Sequence, residues 1–254
     1  YRAGCEMAYG NEDGIAQPAT LMFSMRGVDS RKLRDAVADH PEIYDIDFIP
    51  NEFFRPMDNC TMVGFRNQVK QARKEGYNIP VERTIFMTGM AEDEWWVNMS
   101  RVSGVDATDP DQYTYGEDLA IRLNKEIASY MKAYIPGFEN AYMDRVAPFM
   151  GIRETRRLVG EYVLTEQDIF DCAKFDDAIA VSAYPVDQHH PVGGDCTLMW
   201  CPDCHDIPYR SLLPKKIGSL LVAGRCLSAT HLALASVRVM GPAMATGEAA
   251  GKAA

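Results

Sequence analysis

The sequence predicts an α+β protein in which a mixed sheet is covered by one long helix, followed by a C-terminal strand, turn and helix of the α/β kind. Three observations predict it. Short apolar stretches bounded by turn residues recur along the first two thirds of the chain. One helical periodicity runs unbroken over residues 110–135. The chain then closes on an apolar stretch that stops at Gly224, ahead of a helix built from small residues. On this reading residues 1–205 form one domain and residues 206–254 belong to a second.

Taken in order, residues 20–26 alternate weakly and read as a strand, and Asp29-Ser30 offers an N-cap to a short amphipathic helix ending near His40. Residues 63–75 read as a basic-faced helix stopped by Gly76. Residues 83–90 and 95–102 read as two strands joined through the acidic turn Ala91-Glu92-Asp93-Glu94, a hairpin. On the second of them, alternation turns one of Trp95 and Trp96 inward. Asp109-Pro110 then caps and opens the long helix. Leu119, Leu123, Ile127, Tyr130, Met131 and Tyr134 mark its buried face, and Pro136-Gly137 ends it. Strands are expected over 141–146, 157–164 and 178–183, and a Pro-, Gly-, His- and Cys-rich loop over 185–208.

At 254 residues the chain can bury a proper core, and its 47% apolar and 24% charged content is that of a globular protein. A formal net charge of −10 argues against a nucleic acid held by its phosphates. No apolar run approaches the roughly 20 residues that span a bilayer. Seven cysteines, an odd number beside an adequate core, favour a reducing compartment, so a cytoplasmic location is expected.

The C-terminal segment carries the most specific signal. Ser219-Leu220-Leu221-Val222-Ala223-Gly224 reads as a strand ending on glycine, followed by a polar turn with Arg225, Cys226, Ser228 and Thr230. Met240-Gly241-Pro242 then opens a helix in which Ala243, Ala245, Gly247, Ala249, Ala250 and Gly251 leave room for close packing. Its N-terminus offers free N–H groups and a positive partial charge to an anionic group.

Residues 220–251, LLVAGRCLSATHLALASVRVMGPAMATGEAAG, resemble the C-terminal signature of the FAD-dependent oxidoreductase family, within the glutathione-reductase-like flavoprotein superfamily. The blocks at 17–23, 98–106, 136–140, 151–157, 184–189 and 206–214 are similar to further blocks of that family, in family order. The resemblance implies FAD as cofactor and hydride transfer at flavin N5 with a small polar organic substrate. It makes residues 1–205 a substrate-binding or cap domain and 206–254 the C-terminal strand and helix of a Rossmann-like FAD-binding domain. Gly224, Arg225, Cys226, Ser228, Arg238, Met240, Gly241, Ala243 and Met244 are then the expected cofactor contacts.

One family feature does not match. The strand, G-x-G-x-x-G turn and helix that hold the FAD pyrophosphate are not found in this sequence, where Gly10-Asn11-Glu12-Asp13-Gly14 lies in a polar turn with no strand before it. The expectation is that another segment or a partner chain supplies that half. The 254 residues alone would then bind FAD poorly and be inactive. An alternative reading makes the chain a non-catalytic or electron-transfer subunit of a flavoprotein complex.

Flavin enzymes need little acid–base machinery, because the cofactor carries the electrons. His231, just past the cofactor strand, and His189, two residues after Asp187, are the candidate catalytic histidines, since a neutral imidazole can take a substrate proton. The competing readings are, for His231, a histidine that packs its turn or hydrogen-bonds FAD without proton transfer and, for His189, a surface-loop histidine. Asn98 with Arg101, and Tyr209 with Arg210, are candidate substrate contacts, because a guanidinium binds carboxylates bidentately; internal ion pairs are the competing reading. Arg153 falls in the same class. Cys196, Cys201 and Cys204, followed by His205, leave three readings open: reduced structural thiols, a zinc or iron–sulfur site, or a redox pair. Structural thiols are the reading adopted, with no metal assigned.

Overall fold

The computed structural model describes residues 1–194 and 196–254. In chain order the first elements are β1 (Met7–Tyr9), β2 (Phe23–Arg26), α1 (Ser30–Asp39), β3 (Thr61–Gly64) and α2 (Arg66–Lys74). Next come β4 (Thr84–Thr88), β5 (Trp95–Val97), α3 (Pro110–Tyr134), β6 (Tyr142–Val146) and β7 (Arg156–Leu158). The remainder are α4 (Glu166–Phe170), β8 (Ala178–Ser182), β9 (Val186–His189), β10 (Cys196–Met199), β11 (His205–Pro208), α5 (His231–Val237) and α6 (Met240–Ala253). The fold is α+β, as the sequence predicts. The chain divides into two compact units: Ala19–Val102 with Pro110–Gly151, and Tyr1–Pro18 with Ser103–Asp109 and Ile152–Ala254.

The first unit is built on a five-stranded sheet in the order β3-β4-β5-β2-β6. Every neighbouring pair is antiparallel, which corrects the expected mixed sheet. The tight acidic connection between β4 and β5 explains part of this, because a short hairpin can only join antiparallel strands. Glu94 holds that turn by accepting the N–H groups of Met90 and Ala91. Alternation on β5 buries Trp95 and leaves Trp96 half-buried. Phe86 stands 5.2 Å from Trp95 and 5.6 Å from both Phe65 and Phe138, so tilted and edge-on aromatic pairs dominate this core. Helix α3 adds Leu123, Ile127, Tyr130 and Met131 from one face. Its buried hydroxyl and the indole N–H both find partners: Tyr130 Oη meets Thr84 Oγ1 at 2.6 Å, and Trp95 Nε1 donates to Ser30 Oγ at 2.9 Å.

Helix α2 begins later than its amphipathic pattern predicts. Val63 and Gly64 pair with Ile85 and Thr84 in the sheet, and Asp45 O approaches Gly64 where a Cβ would stand. Phe65 turns the chain with φ of 58°, and the helix starts at Arg66. Ladder bonds to β4 outweigh helical propensity there.

Among the described residues the second unit contains three two-stranded antiparallel pairs, β1 with β7, β8 with β11 and β9 with β10. Its core gathers Leu164, Ile169, Val186, Ile207, Leu212 and Leu227 around Leu234 and Val237 of α5. Four expectations are corrected here. The predicted loop over 185–208 contains the β9–β10 hairpin and β11. The predicted strand over 157–164 is three residues long, with Leu164 reached only by an isolated bridge to Ala229. Residues 219–223 form no strand: the N–H of Val222 bonds Leu212 O, and a 3₁₀ turn starts at Gly224, whose φ is +66°. A strand needs a lateral partner along its length, and among the described residues none lies beside this segment. The polar turn expected around His231 is instead helix α5, nucleated by the Thr230 cap, whose Oγ1 accepts the N–H of Ala233 at 3.1 Å.

Candidate functional site

The residues that gather polar chemistry lie in the second unit and centre on the segment Ile152-Arg153-Glu154. Arg153 donates to Pro18 O at 2.7 Å. Glu154, buried, accepts the Gln17 N–H at 2.9 Å and pairs with Arg157. The Arg157 guanidinium is held further by Ala229 O at 2.9 Å and Gly10 O at 3.0 Å. His231, the first residue of α5, brings Nδ1 to 2.8 Å from Glu154 Oε2, a contact without hydrogen-bond alignment. Burial and the neighbouring Arg157 push His231 down to about 4.

A second cluster forms where β9 meets the end of α5. Asp187 Oδ2 lies 3.3 Å from His189 Nε2 and 3.2 Å from Arg238 Nη2, and Arg238 also donates to Asp187 O at 2.9 Å. Burial works to raise the Asp187 carboxyl, but His189, Arg238 and Arg153 outweigh it and hold it down at about 2. Burial pushes His189 down to about 4, helped by Arg153 and Arg238 and opposed by Asp187. The product is an ionised carboxylate beside a neutral imidazole, flanked by two permanent cations. Tyr184 lies within the field of the same groups, and burial raises its phenol. Its carbonyl accepts from Ser236 on α5 at 2.7 Å.

Arg238 is the C-cap of α5 and Val239 the N-cap of α6, so this cluster runs directly into the helix expected at the flavin. The α6 N-cap Val239 makes no side-chain capping bond. Met240 and Met244 are exposed, and the space a Cβ would take at Gly241 is open. An uncapped 14-residue helix with an accessible first turn fits an acceptor edge carrying negative charge.

Of the sequence-predicted cofactor contacts, Gly224, Arg225 and Cys226 form the 3₁₀ turn that packs against α6 near Ala243. The Gly224 N–H bonds Thr246 Oγ1 at 3.1 Å, and Arg225 is engaged by Ile152 O. Ser228 is buried, its hydroxyl accepting the Gly160 N–H at 3.0 Å, so it faces the protein interior. Arg238 faces Asp187. Tyr209 and Arg210 line a groove of about 970 Å³ with Leu213, Leu221 and Ala250. Arg210 there is paired with Asp177 at 3.0 Å and stacked over Tyr162. Asn98 and Arg101 belong to the other unit. Among the described residues no set of three or more His, Cys, Asp or Glu side chains is arranged to hold a metal, and no helix is long and apolar enough to cross a membrane.

Glu154 and Gln17 were missed as site residues by sequence reasoning. Both sit inside family-like blocks, yet an acid among arginines reads as a solvated charge run until burial is known.

The model of the FAD-dependent oxidoreductase family matches residues 1–254, and the chain belongs to that family. It is therefore an FAD-dependent oxidoreductase, with FAD as its cofactor. No curated relative and no solved structure matches the chain.

Proposed function

We propose that this chain supplies the substrate-facing part and the flavin-facing helix of an enzyme that moves a hydride between flavin N5 and a small polar organic molecule, preferably a carboxylate. The observation that carries the reading is the convergence of Arg153, Asp187, His189 and Arg238 at the junction leading into α6. Arg153 and Arg238 both act on Asp187 there, and a guanidinium binds a carboxylate in two-point geometry. FAD, when bound, supplies the two-electron chemistry. The first turn of α6, with Met240, Gly241, Ala243 and Met244, would hold it, together with Gly224, Arg225 and Cys226.

His189 acts as proton acceptor for the substrate hydroxyl, amine or carbon acid, because its imidazole is neutral and Asp187 orients it. Asp187 stays ionised and stabilises the imidazolium formed when the proton arrives. His231 is the second candidate base, but its ring is enclosed against Glu154 and suits positioning better. Asn98, Arg101, Tyr209 and Arg210 remain candidate substrate contacts, Arg210 the least suited because Asp177 already satisfies it. The cofactor role falls on residues 206–254 and the substrate-binding or cap role on 1–205. A segment or partner chain with the G-x-G-x-x-G turn completes the pyrophosphate site, and the free thiols suit a reducing cytoplasm.

The test is a panel of small hydroxy and amino carboxylates, with matched neutral polyols, added anaerobically to the flavin-loaded protein. Bleaching of the visible flavin band by a carboxylate, lost in His189→Gln and Asp187→Asn with flavin content unchanged, is the expected result. Bleaching by polyols alone sinks the carboxylate preference, and unimpaired bleaching in both variants sinks the role of His189. The missing glycine turn favours a second reading, a non-catalytic or electron-transfer subunit. Flavin that no organic substrate reduces, but that a redox protein does, selects it.

A further inference from the structure

The turn between β10 and β11 carries Cys201-Pro202-Asp203-Cys204, and the end of α4 brings a third thiol to it. Cys172, in the left-handed region at φ of 53°, turns the chain after α4. Its Sγ accepts the N–H of Asp203 at 3.2 Å, which ties the middle of the turn to that helix end. Lys174, two residues further on, reaches the same turn. Its Nζ lies 3.5 Å from Cys204 Sγ, donates to Cys204 O at 3.0 Å and pairs with Asp206 at 3.2 Å. Cys201 has the opposite environment: it packs against the apolar core of its unit, and burial together with the nearby Cys172 pushes its thiol up. Cys172, Cys201 and Cys204 are all reduced and partly accessible.

The two thiols of this C-x-x-C are thus unequal. An ammonium within hydrogen-bond reach of Cys204 Sγ is placed to pair with an attacking sulfur, whereas Cys201, half-buried against the core, is placed to resolve a mixed disulfide formed on its neighbour. We propose that Cys204 and Cys201 are a thiol–disulfide exchange pair, Cys204 attacking and Cys201 resolving, with Cys172 and Lys174 as positioning residues. With glutathione disulfide as oxidant, Cys204 thiolate attacks one glutathione sulfur, breaks the S–S bond and expels glutathione thiolate, which takes up the proton Cys204 had released. Cys201 then gives up its proton and attacks Cys204 Sγ, expelling the second glutathione as its thiol. Two protein thiols are oxidised to one disulfide, and one glutathione disulfide is reduced to two thiols.

The test treats the whole chain with glutathione disulfide and maps the products by intact and peptide mass. The expected result is a Cys201–Cys204 disulfide formed before Cys226, the exposed thiol, reacts. Cys201→Ser should stop at one glutathione on Cys204. Lys174→Met should slow the first step by about twofold to fivefold, the range expected when one exposed cation next to a thiolate is removed, with circular dichroism unchanged. Three results overturn the proposal: Cys226 reacting first, a disulfide that maps to Cys172, or no adduct on Cys204 in Cys201→Ser. Unchanged kinetics in a folded Lys174→Met overturn the role of Lys174.

Discussion

Asp187, His189 and Arg238 show how much a site owes to three side chains held in one field. Arg238 is almost buried and its guanidinium bonds both the carbonyl and the carboxylate of Asp187. Replacing it with methionine keeps the stem but strands a buried carboxylate, so Arg238→Met should destabilise the protein by roughly 3 kcal/mol, read as a fall in urea midpoint. An unshifted midpoint would refute the ion pair. The histidines make a second prediction. His189 and His231 titrate at about 4 in the folded chain against about 6.5 unfolded. Between those values the unfolded chain binds more protons, so stability falls as pH drops from 6.5 towards 4, by roughly 2–3 kcal/mol for each ring. Asp187 extends the loss, because its contribution is present above 3.8 and disappears as pH falls to about 2. Urea midpoints at pH 7 and pH 5 should differ in that direction, and His189→Gln should flatten the slope. Asp187, His189 and Arg238 are all visible as residue types in the sequence, but their meeting is not, since 51 positions separate Asp187 from Arg238.

Elements whose ends carry their own chemistry are legible in the sequence itself. The Asp29 carboxylate caps α1 by accepting the Lys32 N–H at 2.9 Å, and the acidic hairpin turn pairs β4 with β5, both as the sequence predicts. The long helix α3 also follows its periodicity. Helix α4 is a five-residue element that the same signals could have revealed. Thr165 and Asp168 form a reciprocal capping box, and Tyr162 Oη donates to Asp168 at 2.9 Å. Thr165→Ala should cost about 1 kcal/mol and raise hydrogen exchange at Asp168 first; unaltered protection there would show that the cap is redundant. The start of α2 and the segment 219–223 escaped prediction for the opposite reason. Their state depends on whether a strand lies alongside, and no local pattern encodes that.

At the scale of the whole chain, each compact unit has its own apolar core, and the family match spans both. The net charge of −10 contrasts with the gathering of Arg153 and Arg238 around Asp187, with Arg225 near Arg238, where an anionic substrate is proposed to bind. Flavin supplies the prediction that belongs here. If the pyrophosphate half comes from elsewhere, the 254-residue chain alone should bind FAD weakly and purify without stoichiometric flavin absorbance. Added FAD should still stabilise it by mass action, by about 2.7 kcal/mol at roughly 100 times its dissociation constant. A yellow, fully loaded preparation of these residues alone would refute the divided site.

Composition, helix caps and family-like blocks determined the α+β class, the long helix, the β4–β5 hairpin and FAD as cofactor, because each is encoded in a short run of residues. Tertiary structure alone decided which of those residues meet. It turned the mixed sheet into an antiparallel one, withheld a strand from 219–223, and buried Glu154 between Arg157 and His231. It also set Cys204 beside Lys174 and Cys201 against the core. Such outcomes rest on contacts between residues far apart in the chain, whose free energies come from burial and pairing that local sequence does not carry.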